Sequence, residues 1–150
     1  MIEVGEEVPE FEGAREDGSP IALASFLGHP VILFFYPKAN SGGCSLEARG
    51  FAEHFAEFQS QGIAVIGVSV DSVDEQRRFA ETCQLPFPLV ADADRVIAKK
   101  YGVLGLLGIA KRVTFFVDAK GIVVDRTEGM LPGPHVQRAV ERLSPAAGAP

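Results

Sequence analysis

The chain of 150 residues is 47% hydrophobic and 23% charged, enough to bury the core of one domain spanning 1–150 and to exclude disorder over most of its length. Its formal net charge of −6 argues against nucleic acid or an anionic membrane as the main partner, because both reward a basic face. Two cysteines, Cys44 and Cys83, are too few for a disulfide scaffold or for a zinc site built from cysteine alone.

Met1–Glu7 is acidic and lacks the basic-then-apolar pattern of a secretion signal. No run approaches the roughly 20 apolar residues of a membrane span, so a cytoplasmic protein is expected. Val31–Tyr36 is a continuous apolar run that predicts a strand buried on both faces. An amphipathic helix is predicted from about Cys44 to Gln61, with Ala48, Ala52, Phe55 and Phe58 at helical spacing and Gly62 closing it. Ile63–Val70 reads as a second buried strand. Asp74–Cys83 reads as a second helix, with Asp71 or Ser72 as its N-cap. Phe87, Leu89 and Val90 make a short strand, and a third helix runs from Asp94 to Tyr101, capped by Asp92 and stopped by Gly102. Val113–Val117, the loop Asp118–Gly121 and Ile122–Val124 read as a hairpin. Val136, Ala139, Val140 and Leu143 mark a last helix entered through Pro132-Gly133-Pro134, and Ser144–Pro150 reads as a frayed tail. Two parallel crossovers followed by a hairpin predict an α/β fold, with a mixed central sheet flanked by helices on both faces.

The chemistry concentrates in Tyr36-Pro37-Lys38-Ala39-Asn40-Ser41-Gly42-Gly43-Cys44, which leaves a buried strand and enters a helix. Sites gather beyond the carboxyl ends of strands in open α/β sheets. Free N–H groups and the positive end of the helix dipole favour a thiolate at Cys44, so its position makes it reactive in principle. Ser41 can present a hydroxyl beside the sulfur, and Gly42-Gly43 lets donors approach it closely. On placement alone an inert core thiol and a plain helix-capping serine remain open.

Phe35-Tyr36-Pro37, Ser41 and Cys44 resemble the Pro-x-x-x-Thr/Ser-x-x-Cys motif of the peroxiredoxins. Glu47, Leu85–Asp92 and Lys111–Asp118 resemble the bacterioferritin-comigratory, or PrxQ, branch of that family, and the likeness runs from about Gly5 to Leu143. The resemblance implies a thioredoxin-like fold and a thiol-dependent peroxidase acting on hydrogen peroxide and organic hydroperoxides. It implies that Cys44 attacks the O–O bond and becomes a sulfenic acid. Ser41 then matches the hydroxyl that binds peroxide, Pro37 the residue shielding the pocket, and Arg112 the arginine beside the sulfur, with Glu47 orienting Arg112. The implied partners are a peroxide and thioredoxin or another thiol reductant, with the protein a monomer or weak homodimer.

The chain departs from the branch at two places. Ser41-Gly42-Gly43 stands where the family usually has Thr-Pro-Gly, and Arg49 stands where many PrxQ proteins carry a second cysteine. Some members of the branch place the resolving cysteine in the next helix, so the resemblance implies an intramolecular Cys44–Cys83 disulfide; the residues alone leave Cys83 open as a core thiol, since Phe79, Ala80 and Cys83 share a helix face that points inward. If the folded thiols lie too far apart, the start of the Cys44 helix must unwind, eased by Gly43 and Gly50. An inert Cys83 would leave a one-cysteine peroxidase served by an external thiol, and a low-turnover redox sensor or holdase is the reading from another class. Val103–Ala110 is apolar and glycine-punctuated, and reads as a partly buried loop or as an apolar wall or dimer surface. His29, His54 and His135 show no ligand spacing and read as surface or turn residues; Asp92-Ala93-Asp94 fits a helix cap better than a cation site. No motif calls for a nucleotide, flavin or metal.

Overall fold

The computed structural model describes residues 1–143, and the expected tail Ser144–Pro150 lies outside the described residues. The strands are β1 (Glu12–Arg15), β2 (Pro20–Ala22), β3 (Val31–Phe35), β4 (Ala64–Ser69), β5 (Leu89–Ala91), β6 (Val113–Val117) and β7 (Val123–Glu128). The α-helices are α1 (Gly42–Glu53), α2 (Phe55–Ser60), α3 (Val73–Cys83), α4 (Val96–Tyr101) and α5 (Pro132–Glu141). The seven strands make one sheet in the order β2-β1-β5-β4-β3-β6-β7. β3 runs parallel to β4 and β4 to β5, whereas β6 is antiparallel to β3 and β7 to β6.

β3 is apolar at every position because it has a core on each side. Val31, Leu33 and Phe35 point into one cluster with Tyr101, Phe115 and α4; Ile32 and Phe34 point into the other with Phe51, Phe58 and Phe79. The pleat sends alternate side chains to opposite faces, so a central strand covered by helices on both sides cannot alternate polar and apolar residues. The expected mixed sheet with helices on both faces is what forms.

Local signals placed most helix ends. Ser72 caps α3 reciprocally: its hydroxyl accepts from the Glu75 N–H, and the Glu75 carboxylate accepts from the Ser72 N–H. The Asp92 carboxylate accepts from the N–H groups of Ile97 and Ala98, and Gly102 ends α4 at φ +69°. Asp71, the alternative cap of α3, is used elsewhere: its carboxylate accepts from the Ala39 N–H at 2.7 Å and from the Ser69 hydroxyl at 2.6 Å.

Two expectations are corrected. The helix predicted from about Cys44 to Gln61 is two helices, broken at His54 (φ −101°, ψ 5°). Neither Gly nor Pro marks the break. It redirects the chain so that Phe58 is fully buried and its carbonyl accepts from the N–H of Ile63, the residue before β4. The β1–β2 hairpin was also not expected. Its strands are four and three residues long and half exposed, and β1 is held by pairing with β5 rather than by an apolar run of its own.

Candidate active site

Antiparallel pairing of β3 with β6 builds the site. Phe35 ends β3 opposite Val113, which begins β6. The residue before Val113 is thereby delivered to the same end of the sheet at which β3 releases the chain toward Cys44. Arg112 and Cys44 are 68 residues apart and in contact: the guanidinium Nη2 lies 3.4 Å from the Cys44 sulfur. Side chains on β6 alternate, so Arg112 and Thr114 face the same side of the sheet.

The approach to Cys44 is fixed by the loop after β3. Asp71 holds the Ala39 N–H, Asn40 adopts a left-handed φ of 61°, and Ser41 caps α1. The Ser41 hydroxyl donates to the Lys38 carbonyl at 2.9 Å and accepts from the Cys44 N–H at 3.4 Å. Ser41 is thus a cap and a hydroxyl at the mouth of the site at once. Pro37 is half-buried at the end of β3. Cys44 is the third residue of α1 and 1% exposed, in the turn where backbone N–H groups lack helical partners.

Arg112 is clamped at three points. Its Nε donates to the Met130 carbonyl at 2.9 Å, its Nη1 to Glu47 Oε1 at 2.5 Å, and its Nη2 to Cys44 Sγ. Burial works against the charged guanidinium, but Glu47 and Cys44 outweigh it and hold Arg112 protonated above its ordinary value. Glu47 is fully buried, and burial pushes its carboxyl up to about 7 against the pull of Arg112. The glycine pair serves space rather than dihedral freedom, since neither Gly42 nor Gly43 has a positive φ. A Cβ on Gly43 would sit 3.1 Å from Arg112 Nη2. Gly43→Ala is therefore expected to slow oxidation of the thiol about fivefold to tenfold by displacing the guanidinium a few tenths of an ångström. Thermal stability should hold or rise, because alanine favours the helix by roughly 0.8–1 kcal/mol. Stopped-flow oxidation kinetics and a thermal melt check both; an unchanged rate would mean the guanidinium position is immaterial.

Other expectations land differently. Cys83 ends α3, is 9% exposed and faces the same core cluster as Cys44; both thiols are free. Gly50 is not slack in α1: a Cβ there would meet Val136 at 2.8 Å, so it lets α1 and α5 approach. In Val103–Ala110 the ends are buried and bridged, Leu104 to Ala110, while Leu106 and Leu107 stand in solvent at the tip. His135 overturns its assignment to the surface. It is fully buried, with Nε2 2.8 Å from the Gly129 carbonyl and Nδ1 2.8 Å from Thr114 Oγ1. Nothing in the local sequence signals this; its burial comes from α5 lying over α1 and the β6–β7 pair. His29 is exposed, and His54 is half-exposed beside Glu57. Among the described residues, no group of three or more His, Cys, Asp and Glu side chains could hold a metal ion, and no helix is long and apolar enough to cross a membrane.

A thioredoxin-like sheet presenting a buried thiol at a helix N-terminus is the architecture of the thiol-dependent peroxidases, and this protein is one of them. The family model described as AhpC/TSA matches residues 4–126, and the chain belongs to that family. It is 33% identical over 127 residues to peroxiredoxin Bcp of Escherichia coli K12, covering 80% of this chain and 81% of that one. The crystal structure of peroxidoxin BcpB from Mycobacterium tuberculosis is similar with a TM-score of 0.89 and 35% identity, over 95% of this chain and 97% of that one. A structure of the Xanthomonas campestris bacterioferritin comigratory protein, described in terms of its alkyl peroxide reduction activity, is similar with a TM-score of 0.86 and 26% identity, over 94% and 97% of the two chains.

Proposed function

We propose that Cys44 is the peroxidatic thiol and that the protein reduces hydrogen peroxide and organic hydroperoxides, alkyl hydroperoxides among them. The observation that carries this is the contact of the Arg112 guanidinium with the Cys44 sulfur at the start of α1. The thiolate attacks one peroxide oxygen; an S–O bond forms as the O–O bond breaks. Sulfur loses two electrons and the peroxide gains them. The leaving oxygen takes a proton and departs as water or an alcohol. Arg112 and the first-turn N–H groups are preorganised where negative charge moves from sulfur to oxygen. Ser41 presents its hydroxyl to the peroxide, and Pro37 shields the sulfur from water. The inclusion of alkyl hydroperoxides draws on the Xanthomonas relative and on the apolar Leu46, Met130 and Leu131, all exposed on the segments around the site.

Cys83 then resolves the sulfenic acid. Its sulfur attacks the Cys44 sulfur, water leaves, and an intramolecular disulfide forms. A dithiol reductant such as thioredoxin supplies the two electrons and two protons that restore both thiols. The S–S bond leaves no thiolate at Cys44 for Arg112 to hold. The acidic chain with two free thiols suits the reducing cytoplasm.

Intact mass and peptide mapping after one equivalent of peroxide test the scheme. Loss of two hydrogens with Cys44 linked to Cys83 within one chain is expected. Gain of one oxygen on Cys44 with Cys83 free would instead make this a one-cysteine peroxidase served by an external thiol.

A further inference from the structure

Behind the Arg112–Glu47 pair lies a histidine that this scheme leaves idle. His135 is the fourth residue of α5 and fully buried. Its Nε2 faces the Gly129 carbonyl, which can only accept, so Nε2 carries a hydrogen. Its Nδ1 lies 2.8 Å from Thr114 Oγ1 and 3.7 Å from Glu47 Oε2. That carboxylate oxygen is buried and makes no hydrogen bond, alone in this among the side-chain oxygens and nitrogens of the described residues. A buried carboxylate oxygen without a donor is costly, and a proton is what would relieve it.

Two proton states fit the geometry. With His135 neutral, the Thr114 hydroxyl donates to Nδ1 and Glu47 is a carboxylate. One proton from solvent, on Nδ1 or on Glu47, takes the pair from a charge of −1 to 0. The remaining charges around His135 are fixed. Arg112 stands before β6, and Asp125 on β7 is engaged by Arg138 and Arg142, both on the α5 side. Burial lowers the pKa of His135 against its bond to Gly129, and the Arg112 charge lowers it further, while Glu47 is raised to about 7. His135 Nδ1 and Glu47 Oε2, 3.7 Å apart, therefore compete for one proton and titrate as a pair.

We propose that His135 is a positioning residue for peroxide reduction: it shares one titratable proton with Glu47, and that proton sets how much of the Arg112 charge remains for the Cys44 sulfur. The inference rests on Cys44 being the reacting thiol. As the pH falls, the pair takes up its proton and stops offsetting Arg112. The thiolate gains support in the range where acid would otherwise remove it.

His135→Gln keeps a polar side chain that can bond Gly129 or Thr114 but cannot titrate. The oxidation rate of the reduced variant by hydrogen peroxide, by stopped flow from pH 5.5 to 8.5, is the first measurement. Only Glu47 can then take the proton, so the inflection of the profile should move to lower pH, with the rate below wild type near pH 6 and within about twofold of it at pH 8.5. An equal loss at every pH, or none, would overturn the proposal, because a merely structural role does not change the shape of the profile. A second measurement does not depend on the fold of that variant. In reduced protein with ¹⁵N-labelled histidine, the His135 titration should move to lower pH by about one unit on Glu47→Gln, since the facing negative charge is gone. An unmoved titration would also overturn it. Cys44→Ser separates the two readings: persistent peroxide consumption there sinks the role of Cys44, whereas an inactive Cys44→Ser beside an unaltered His135→Gln profile sinks only the role of His135.

Discussion

Peroxide consumption is expected to vanish in Cys44→Ser, by on the order of 10³-fold or more in steady-state turnover with a thiol reductant. A serine hydroxyl stays protonated near neutral pH, so Arg112 and the α1 N–H groups have no anion to hold, and oxygen is a poor attacker of a peroxide. The substitution is close to isosteric at a buried position already capped by Ser41. A thermal melt should therefore match the wild type within about 1 kcal/mol, which separates lost chemistry from lost fold. Cys83→Ser makes the informative contrast. It should keep a full first oxidation of Cys44 and lose the intramolecular disulfide, so that a burst is followed by stalling. Equal steady-state rates in Cys83→Ser and wild type would assign resolution to an external thiol.

Arg112→Met is the second large effect, and it should act on rate and stability together. The rate constant for oxidation should fall about 10²- to 10³-fold, the usual cost of removing one preorganised charge donor from a reacting centre. Stability should fall by about 3 kcal/mol at pH 8, because removing one partner of a buried ion pair strands the other. Here the stranded group is Glu47, with Oε1 bound to Arg112 and Oε2 already unbonded. The loss should shrink in acid. Burial has already raised the Glu47 carboxyl to about 7 with Arg112 present, and without the guanidinium it rises further. A carboxyl raised in the folded state favours folding when protonated. Its penalty is absent below the unfolded value near 4.5 and grows as the pH climbs through the folded value. Melts of Arg112→Met should therefore lie closer to wild type at pH 5.5 than at pH 8. A pH-independent deficit would mean that the loss comes from packing and not from the stranded carboxylate.

The helical spacing of Cys44 and Glu47 was visible in the chain, as was the apolar run of β3 that aims both at one end of the sheet. The cap at Ser72 and the stop at Gly102 were equally legible, because each is made by residues within a few positions of one another; Asp92 does satisfy first-turn N–H groups of α4, but from three residues before Arg95, the residue at the N-cap position. The motif from Pro37 to Cys44 pointed to a reactive thiol for the same reason, since cap, turn and first helical residues are contiguous. The likeness around Arg112 marked that residue, although its contact depends on a distant strand pairing.

Where the pattern was silent, distant parts of the chain decided. The break at His54 exists because Phe58 must reach the floor under β4, and the periodicity runs on through it. The β1–β2 hairpin exists because β5 offers an edge. Asp71 reads as a cap and serves as an anchor for the loop before Cys44. Gly50 reads as flexible and is a close-approach site for Val136, while Gly43, read both as flexible and as a close-approach site, leaves room for the guanidinium. Histidine 135 carries no local mark at all.

The sequence by itself determined the central strands and most of the helices, which thiol stands at a helix start, and the acidic residue one turn after it. Periodicity, capping and composition are written within a few residues of each other. Only the tertiary structure decided that Arg112 touches Cys44, that Glu47 is buried with one oxygen unpartnered, and that His135 lies against it. The reason is physical: these contacts join β6, α1 and α5 across 65 residues or more of chain for Arg112 with Glu47. A side chain's protonation then depends on what the fold places around it and on how much water it removes.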